Sequence, residues 1–374
     1  MRIGLNALFL IPGKVGGTEI YVRNLVRSFA GLPHQFLLYV NREAAGTFDP
    51  LPANVTEVRV PLKAENRAMR IAYEQVQLPL RAHRDRVDVL HSLGYTGPLV
   101  ATIPTVVTLH DLNYHFHPED WTPAGLWANR ALIPLVAKRA TRVLTISQSS
   151  HDAIVDVLDV PPERVDIVYH GIDGNLSEPG ASTRAAVRKQ FGLAGDFILS
   201  VTASHPHKNL DGLLGAYERI CARRDAPPLV VVGIRGRAHD EVMAAAARWK
   251  RGRVVVTGWI DGDVLSSLYR EATVFAFASK YEGFGFPVLE AMSVGTPVVS
   301  SSATSLAELV GDAALTFSPT DTATIASSIE RVLDDAALRA TLIEKGRAQA
   351  DRFKWAQCAR ETCAVYERSL MSRA

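Results

Sequence analysis

The chain has 374 residues, of which 47% are hydrophobic and 21% are charged, and its formal net charge is +2. This length exceeds that of a typical single core and predicts two domains. The near-neutral charge argues against a nucleic-acid binder. The three cysteines form neither a disulfide framework nor a zinc motif, and they fit a reducing cytosol. No apolar run has the length of a membrane span, and no signal peptide is expected.

The first half of the chain alternates predicted strands with predicted helices. Short apolar runs predict the strands, and apolar residues spaced by three or four predict the helices. Ser147 has the chemistry of a helix N-cap, so another helix is expected to follow it. The predicted strands are 3–10, 36–40, 55–60, 87–91, 105–109, 143–146 and 165–168, and the predicted helices are 20–29, 68–80 and 124–138.

Two features of this half are candidate binding elements. Gly16 and Gly17 lie in a loop between a strand and a helix, where glycine lets the backbone approach a phosphate; a plain turn is the alternative. His110 lies at the C-terminal end of the strand 105–109. Ligands gather at such strand ends in open α/β sheets, although a lone histidine also serves as a structural hydrogen-bonding group.

The stretch from Lys63 to Arg86 is basic, with six Lys and Arg residues against three acidic ones. One interpretation is a solvated helix face. The other is a basic patch, including Arg67, Arg70, Arg81 and Arg84, that contacts anionic lipid or a phosphorylated acceptor.

The segment 174–182 is rich in Gly, Ser and Pro and predicts an interdomain linker. The strand–helix alternation then resumes. Predicted strands are 197–201, 229–232, 253–256, 274–278 and 297–300, and predicted helices are 209–220, 264–271, 287–294, 305–310, 325–333, 338–352 and 355–370.

Lys208 lies where a loop meets a predicted helix N-terminus. A lysine there opposes the helix dipole, which suggests that it meets an anion. The sequence Asp261-Gly262-Asp263 superficially matches a metal-binding DxD motif, but it precedes a helix, so Asp263 is interpreted as an N-cap.

The residues 281–290, YEGFGFPVLE, follow a buried strand and lead into a short helix, with Pro287 at its first position. Glycine loop and helix N-terminus together form a potential anion site. Glu290 lies about one turn inside the helix, so its carboxylate is placed to accept hydrogen bonds from the hydroxyls of a ribose. Two solvated glutamates beside an ordinary turn are the alternative.

The two glutamates are separated by seven residues in EGFGFPVLEAMSVGTPVVSS, from Glu282 to Ser301. This pattern resembles the signature of the retaining GT-B glycosyltransferases of family 4 (glycosyl transferases group 1), and the whole chain looks mannosyltransferase-like. The resemblance implies an α/β GT-B fold with two Rossmann-like domains facing across a cleft. The expected domains are 1–175, which accepts the C-terminal helix 355–374, and 183–352, which binds the donor.

The resemblance also implies roles for individual residues. Lys208 and the backbone of the glycine loop hold the donor diphosphate, and Glu290 holds the ribose. Glu282 approaches the donor sugar or phosphate, and His110 contacts the sugar. The family has an Arg-Lys pair where this chain has His207-Lys208, a departure that predicts weaker or pH-sensitive donor binding. The full expected set is His110, Lys208 and Glu282 as catalytic residues and Gly16, Gly17, His207, Lys208, Gly258, Trp259, Ile260, Glu282, Gly283, Phe284, Gly285, Phe286 and Glu290 as donor-binding residues.

The expected activity is metal-independent, retaining transfer of a sugar, with GDP-mannose as the leading donor, to a glycan or lipid-linked acceptor. No cofactor is expected. A UDP-sugar donor, a GT-B epimerase and a non-catalytic nucleotide-sugar binder stay open. The acceptor segments expected are 63–70 and 113–121. The expected location is cytoplasmic, with peripheral contact to the inner face of the membrane.

Overall fold

The computed structural model describes residues 1–174, 176–203, 205–233 and 252–371. Within these residues the chain separates into two compact units. Unit 1 comprises Met1–Phe116, Trp121–Gly171 and Lys354–Ala374, and unit 2 comprises His117–Asp120 and Ile172–Phe353. Among the described helices, none has the length and apolar content needed to span a bilayer.

Unit 1 is built on a parallel sheet whose strands are joined by helices. Its strands are β1 (Arg2–Asn6), β2 (Gln35–Val40), β3 (Val55–Arg59), β4 (Val89–Ser92), β5 (Thr105–Thr108), β6 (Arg142–Thr145) and β7 (Val165–Ile167). Its helices are α1 (Gly17–Ser28), α2 (Arg67–Arg84), α3 (Asn113–Phe116), α4 (Pro123–Arg139), α5 (Gln148–Leu158) and, from the end of the chain, α13 (Trp355–Met371).

The described strands of unit 1 lie in the order β3-β2-β1-β4-β5-β6-β7, and every pairing is parallel. Leu5 of β1 pairs with Leu38 of β2 on one side and with His91 of β4 on the other. Central strands of such sheets are covered on both faces, which explains their nearly continuous apolar runs.

Unit 2 repeats the same plan. Its strands are β8 (Ile198–Val201), β9 (Leu229–Val232), β10 (Val254–Gly258), β11 (Val274–Phe277), β12 (Val298–Ser301) and β13 (Leu315–Phe317). Its helices are α6 (Ala181–Phe191), α7 (Leu210–Arg223), α8 (Gly262–Glu271), α9 (Phe286–Ser293), α10 (Ser305–Val310), α11 (Thr322–Asp334) and α12 (Ala336–Ala350). The strand order is β10-β9-β8-β11-β12-β13, again parallel throughout the described strands.

Each sheet reverses its strand order once. In unit 1 the reversal lies between β1 and β4, and in unit 2 it lies between β8 and β11. Loops leaving two such strands at their C-terminal ends diverge to opposite faces and leave a crevice between them, which is where open parallel sheets bind ligands. The fold therefore marks one candidate crevice in each unit.

The hydrophobic core of unit 2 is formed between the sheet and its covering helices. Fully buried members include Tyr217 and Ile220 of α7, Val231 of β9, and Ile325 and Ile329 of α11. This packing fixes the strand ends from which the loops of the crevice leave.

The α/β class with two Rossmann-like sheets, predicted from sequence, is confirmed, and most predicted elements lie within a few residues of the observed ones. Helix α6 was not predicted, because it buries only Val187 and so lacks an apolar period; it begins at Ala181, inside the expected linker. The interpretation of Asp263 as an N-cap is wrong. Asp261 caps α8, its side chain accepting the Val264 N–H at 2.9 Å, and Asp263 lies in the first turn.

The domain limits expected from sequence stay a prediction. Asn175 lies outside the described residues, as do residues 372–374 of the expected C-terminal helix.

Candidate functional site

Lys208 is positioned by a short turn that follows β8. Residues Pro206–Lys208 form a 3-10 turn, and Asn209 then adopts a left-handed conformation (φ 56°) before α7 begins. The buried Asn209 side chain donates to the carbonyl of Ala278 at 2.9 Å and to that of Pro319 at 2.7 Å. The N–H of Lys280 donates to the carbonyl of His207 at 2.7 Å. These bonds tie the loop after β8 to the loop after β11.

Lys208 and Glu282 form an ion pair at this junction. Lys208 Nζ lies 2.7 Å from Glu282 Oε1 and 2.8 Å from Oε2. The two side chains are only 22% and 11% exposed, so the pair is screened less by solvent than one on an open surface. Glu282 therefore supplies an anionic partner for Lys208, and the expected contact of Lys208 with a donor diphosphate stays a prediction.

The glycine loop ends in a conformation that only glycine adopts readily. Gly285 has φ 131° and ψ 46°, and a Cβ at this position would lie 2.7 Å from Leu306 Cδ2. It is the N-cap of α9 and provides no side-chain hydrogen bond. The dipole of α9 adds partial positive charge at this end of the helix, while the N–H of Val288 already donates to the carbonyl of Gly285 at 3.1 Å. Pro287 is the second residue of α9 rather than the first, which leaves this anion-binding chemistry unchanged.

Two hydroxyl residues hold this loop from the start of α10, and sequence reasoning missed both. Thr304 Oγ1 accepts the N–H of Glu282 at 2.9 Å and lies 3.0 Å from its carbonyl. Ser305 Oγ lies 2.9 Å from the carbonyl of Glu282 and 2.6 Å from that of Phe284. A run of Ser and Thr directly after β12 is the sequence signal, because such hydroxyls satisfy backbone groups of irregular loops.

Glu290 lies on α9, one turn beyond its start, and is buried. Its Oε2 accepts a hydrogen bond from the hydroxyl of Tyr269 at 3.2 Å. Burial, followed by the charge of Glu290, raises the pKa of Tyr269 well above its ordinary value, so the phenol stays protonated and keeps donating. The bond fixes one carboxylate oxygen at a defined place near the glycine loop.

His207 is also buried, and its Nδ1 lies 2.5 Å from Oδ2 of Asp120. Burial, followed by the positive charge of Lys208, lowers the pKa of His207, while Asp120 and Glu282 act in the opposite sense. The ring is therefore neutral at neutral pH, with Nδ1–H donating to Asp120. Asp120 belongs by contact to unit 2, and its side chain also lies 3.7 Å from His205.

His110 lies in unit 1 and is buried beneath Tyr21, whose ring it meets edge to face at 5.0 Å. Its Nε2 lies 3.3 Å from the carbonyl of Leu93, so Nε2 carries the proton and donates. Burial lowers the pKa of His110 to about 4, which keeps the imidazole neutral at physiological pH. Its contact with a donor sugar stays a prediction.

The other expected donor-binding residues have definite positions. Gly16 is the N-cap of α1 with φ 59°, and Gly17 is the first residue of that helix. Gly258 ends β10, and its carbonyl accepts the N–H of Gly233 at 2.9 Å. Trp259 is 73% exposed, and Ile260 beside it is partly exposed. The roles expected for these residues stay predictions.

The basic patch predicted between Lys63 and Arg86 is corrected in one respect. Arg70 is buried, and its Nη1 pairs with Glu74 at 3.2 Å, so it contributes no charge to an outer surface. The exposed basic side chains of α2 lie at its C-terminal end, where Arg81 pairs with Asp85.

In the described part of the chain, no group of three or more His, Cys, Asp or Glu side chains is arranged to hold a metal ion.

Comparisons with known proteins agree with the two-unit fold. The family model described as Glycosyltransferase Family 4 matches residues 15–175, and the one described as Glycosyl transferases group 1 matches residues 183–349. The chain is 32% identical to O-antigen chain mannosyltransferase B of Escherichia coli over 269 residues, which cover 70% of each protein. It is 27% identical to the MMP alpha-(1->4)-mannosyltransferase of Mycolicibacterium hassiacum, over 99% of this chain and 98% of that one.

Among solved structures, a sucrose-phosphate synthase from Thermosynechococcus elongatus covers the whole of both chains with a TM-score of 0.80 and 20% identity. This likeness confirms the predicted GT-B fold class.

Proposed function

Because this chain belongs to the family 4 glycosyltransferases, the glycosyl transferases group 1, we propose that it transfers a sugar from a nucleotide-sugar donor to a hydroxyl of a glycan or lipid-linked saccharide. Both relatives described above carry the name mannosyltransferase, which supports mannose as the transferred sugar and GDP-mannose as the donor. A UDP-sugar is the alternative donor.

The observation that carries this proposal is the meeting of Lys208, Glu282 and the N-terminus of α9 at the reversal point of the second sheet. A cation and the positive end of a helix dipole together suit a diphosphate. We assign the diphosphate to Lys208 and the backbone of residues 283–286. Glu282, which already contacts Lys208, is assigned to the donor sugar or its adjoining phosphate.

The nucleoside part of the donor is assigned to the neighbouring elements of unit 2. The carboxylate of Glu290 accepts the ribose hydroxyls, because a carboxylate accepts from two hydroxyl donors at once. Backbone groups of Gly258, Trp259 and Ile260 are assigned to the base.

The proposed reaction breaks the bond between the anomeric carbon and the phosphate oxygen and forms a bond from the acceptor oxygen on the same face. The acceptor hydroxyl proton passes to the departing phosphate, and the anomeric configuration is retained. Negative charge grows on the leaving diphosphate, and Lys208 together with the dipole of α9 stabilises it. The proposed step uses no metal ion and no cofactor.

A thermal-shift panel with GDP, UDP, ADP and TDP, each with and without EDTA, tests the donor site. A ligand that binds only the folded protein raises its melting temperature by mass action. We expect one diphosphate, GDP, to give the largest shift and EDTA to leave it unchanged. No shift with any nucleotide would contradict the proposed site, and a shift abolished by EDTA would contradict metal independence.

Product analysis by NMR then tests the reaction. Incubation with GDP-mannose and a mannosylated acceptor is expected to give an α-linked product. An inverted β-linkage would contradict retention. An isomerised free sugar without acceptor would instead indicate an epimerase, and bound donor without any release of nucleotide would indicate a non-catalytic binder.

We also propose a cytoplasmic location with peripheral contact to the inner membrane surface. Helix α2 supports this contact, because Met69, Val76 and Leu80 are each at least half exposed on it and Arg81 and Arg84 lie at its end. Apolar side chains flanked by basic ones suit an anionic lipid surface. Flotation with anionic vesicles tests it: the variant with Arg81→Gln and Arg84→Gln is expected to partition less, and unchanged partitioning would contradict the contact.

A further inference from the structure

Thr304 has a backbone conformation that is rare for its residue type. Its φ is 49° and its ψ is −128°, directly before α10. Asp159 and Asn209 also have positive φ, but they lie in the left-handed helical region that short polar residues tolerate. Gly311, at the other end of α10, has nearly the same angles as Thr304, with φ 53° and ψ −125°. Thr304 therefore occupies a conformation that suits glycine, and for a β-branched residue this is a genuine outlier.

The strain at Thr304 accompanies two hydrogen bonds to a single residue. Its Oγ1 accepts the N–H of Glu282 at 2.9 Å and donates to the carbonyl of Glu282 at 3.0 Å. A hydroxyl has one proton to donate and can accept at the same time, so one side chain satisfies both backbone groups of Glu282. Strained residues cluster at functional sites, where the surrounding structure holds them in place.

These two bonds restrict the backbone of Glu282 on both sides of its Cα. The N–H belongs to the peptide group before the Cα, and the carbonyl belongs to the peptide group after it. Each peptide group is planar, so holding both of them limits φ and ψ of Glu282. Thr304 thereby fixes the point from which the Glu282 side chain starts and the direction in which it leaves the backbone.

The carboxylate of Glu282 lies in a confined place. Its side chain is 11% exposed, and both of its oxygens contact Lys208 Nζ, at 2.7 Å and 2.8 Å. A functional group at a reacting centre must be held within about 0.5 Å of its productive position. A displacement of about 1 Å, caused by a change away from the reacting atoms, can lower the rate about 100-fold. The residue that fixes the Glu282 backbone can therefore control the reaction without touching the substrate.

Ser305 does not duplicate this role. Its Oγ lies 2.9 Å from the carbonyl of Glu282 and 2.6 Å from that of Phe284, and its single proton serves one of them at a time. Neither contact involves the N–H of Glu282. Ser305 holds carbonyl groups of the glycine loop, whereas Thr304 is bonded to both backbone groups of Glu282.

The residue type at position 304 is informative. Glycine would remove the unfavourable contact between the Cβ and the backbone, but it has no hydroxyl. Serine would keep the hydroxyl, whereas the branched Cβ of threonine also restricts χ1 and so holds the hydroxyl in one rotamer. Threonine at a position that suits glycine indicates that the hydroxyl is retained at the expense of stability.

We propose that Thr304 is a positioning residue for sugar transfer: its hydroxyl fixes the backbone of Glu282, so that the carboxylate meets Lys208 and the donor in the productive arrangement. The inference rests on the proposed function and adds to it a residue that does not touch the substrate. The strained backbone of Thr304 lowers the stability of the fold and is retained because it places the hydroxyl.

Four variants test the proposal. Thr304→Ala and Thr304→Gly both remove the hydroxyl, and Thr304→Ser keeps it. Ser302→Ala is the matched control, because it removes a nearby hydroxyl that bonds to the carbonyl of Phe317 and not to the glycine loop. With GDP-mannose and acceptor, we expect kcat to fall about tenfold to 100-fold in the Ala and Gly variants and to stay within about threefold of the wild-type value in Thr304→Ser and the control.

Melting temperatures separate positioning from a general structural role. At an ordinary position alanine is more stabilising than glycine. At this positive φ the Cβ is strained, so Thr304→Gly is expected to melt above Thr304→Ala. If the role were only structural, the more stable glycine variant would keep more activity. We expect both variants to lose kcat to a similar extent, and titration calorimetry to show no weakening of GDP binding, because Lys208 and α9 remain.

Hydrogen–deuterium exchange measures the contact without any substrate. The N–H of Glu282 is expected to exchange faster in Thr304→Ala and Thr304→Gly than in the wild-type protein, Thr304→Ser and Ser302→Ala, because its acceptor is lost. The proposal would be overturned by unchanged exchange in Thr304→Ala, by wild-type kcat in that variant, or by a Thr304→Ser enzyme as slow as Thr304→Ala. If Thr304→Ala fails to fold, the same comparisons are made with Thr304→Gly.

The wild-type protein, measured beside these variants, separates this inference from the function on which it rests. If the wild-type protein transfers sugar and the variants without the hydroxyl do so equally fast, only the positioning role of Thr304 fails. If the wild-type protein binds no nucleotide and transfers no sugar, the proposed function fails, whatever the exchange rates.

Discussion

Lys208 Nζ contacts both carboxylate oxygens of Glu282, at 2.7 Å and 2.8 Å, across the reversal point of the second sheet. The cation proposed to bind the donor diphosphate is thus paired with a carboxylate of the protein itself. An incoming diphosphate must compete with Glu282 for Lys208, and it gains in return the partial positive charge at the N-terminus of α9. This competition leads to the first two predictions.

Replacement of Lys208 by alanine is expected to reduce the rate of transfer by about 100-fold or more, because loss of one group that stabilises developing negative charge has an effect of this size. Initial rates with GDP-mannose and acceptor measure it. Lys345→Ala is the matched control, because Lys345 is exposed and pairs with Asp312 at 2.6 Å. A Lys208→Ala enzyme that folds and works at the rate of the control would contradict the assignment.

Glu282→Gln separates nucleotide binding from catalysis. The neutral amide no longer competes for the charge of Lys208, so titration calorimetry is expected to show tighter binding of GDP, by about threefold to tenfold, or about 0.7 to 1.4 kcal/mol. Transfer is expected to fall, because the carboxylate assigned to the sugar is lost. Glu344→Gln, at an exposed position of α12, provides the control. Weaker GDP binding after Glu282→Gln would show that Glu282 does not compete for Lys208.

Gly285→Ala is expected to destabilise the loop in front of α9. Its φ of 131° is unfavourable for any residue with a Cβ, and the new methyl carbon would lie 2.7 Å from Leu306 Cδ2. We expect a loss of about 1–3 kcal/mol and a lower melting temperature, together with a reduced nucleotide shift. Gly262→Ala is the control, because a Cβ on Gly262 meets nothing within 4 Å and its φ is not in the positive range; its melting temperature is expected to stay level or rise. Equal melting temperatures for the two variants would contradict the strain.

Three buried histidines of unit 1 predict how stability depends on pH. Burial lowers the pKa of His91 to about 3 and that of His110 to about 4, and it lowers the pKa of His170 well below its ordinary value. As pH falls below 6.5, the unfolded chain takes up protons that the folded chain does not. Stability is therefore full above pH 6.5 and falls below it, by about 1.4 kcal/mol per pH unit for each histidine.

Urea unfolding at pH 7.5, 6.5, 5.5 and 5.0 measures how the free energy of unfolding changes with pH. These pH values lie above the range in which most carboxylates titrate. His91 bonds through Nδ1 to Tyr366 and through Nε2 to Thr108, and an amide retains part of that pattern. His91→Gln is therefore expected to reduce the slope by about one third, whereas exposed His83→Gln should not change it. A wild-type stability that is level from pH 6.5 to 5.0 would contradict buried neutral histidines.

Much of the fold could be predicted from local sequence because the signals are local. Buried strands read as short apolar runs, and amphipathic helices repeat their apolar residues every three or four positions. The strand 229–232 and the helix 305–310 were predicted with the observed limits. Helix α6 was not predicted, because its single buried valine gives no repeating pattern of apolar residues. Asp261 and Asp263 are both plausible caps in sequence, and only the observed bond to Val264 distinguishes them.

The candidate site, like the fold, could be predicted only in part from the sequence. The glycine loop, the two glutamates and the unusual lysine were recognisable, because residue type and spacing indicate their chemistry. The contact between Lys208 and Glu282 was not, since 74 positions separate them in the chain. The support from Thr304, Ser305 and Asn209 likewise depends on loops that meet only in the folded unit. The burial of Arg70 was hidden as well, since a basic stretch in sequence does not show which side chains turn inward.

The sequence by itself determined the alternation of strands and helices, the α/β class and the identity of the glycine loop, because these depend on residues near one another in the chain. The tertiary structure decided which strands are neighbours, and so which loops meet. Placing β8 beside β11 brings Lys208 to Glu282, and placing β12 beside β11 brings Thr304 to the same residue. Strand order is fixed by packing of helices over the whole sheet, a property that no short segment carries.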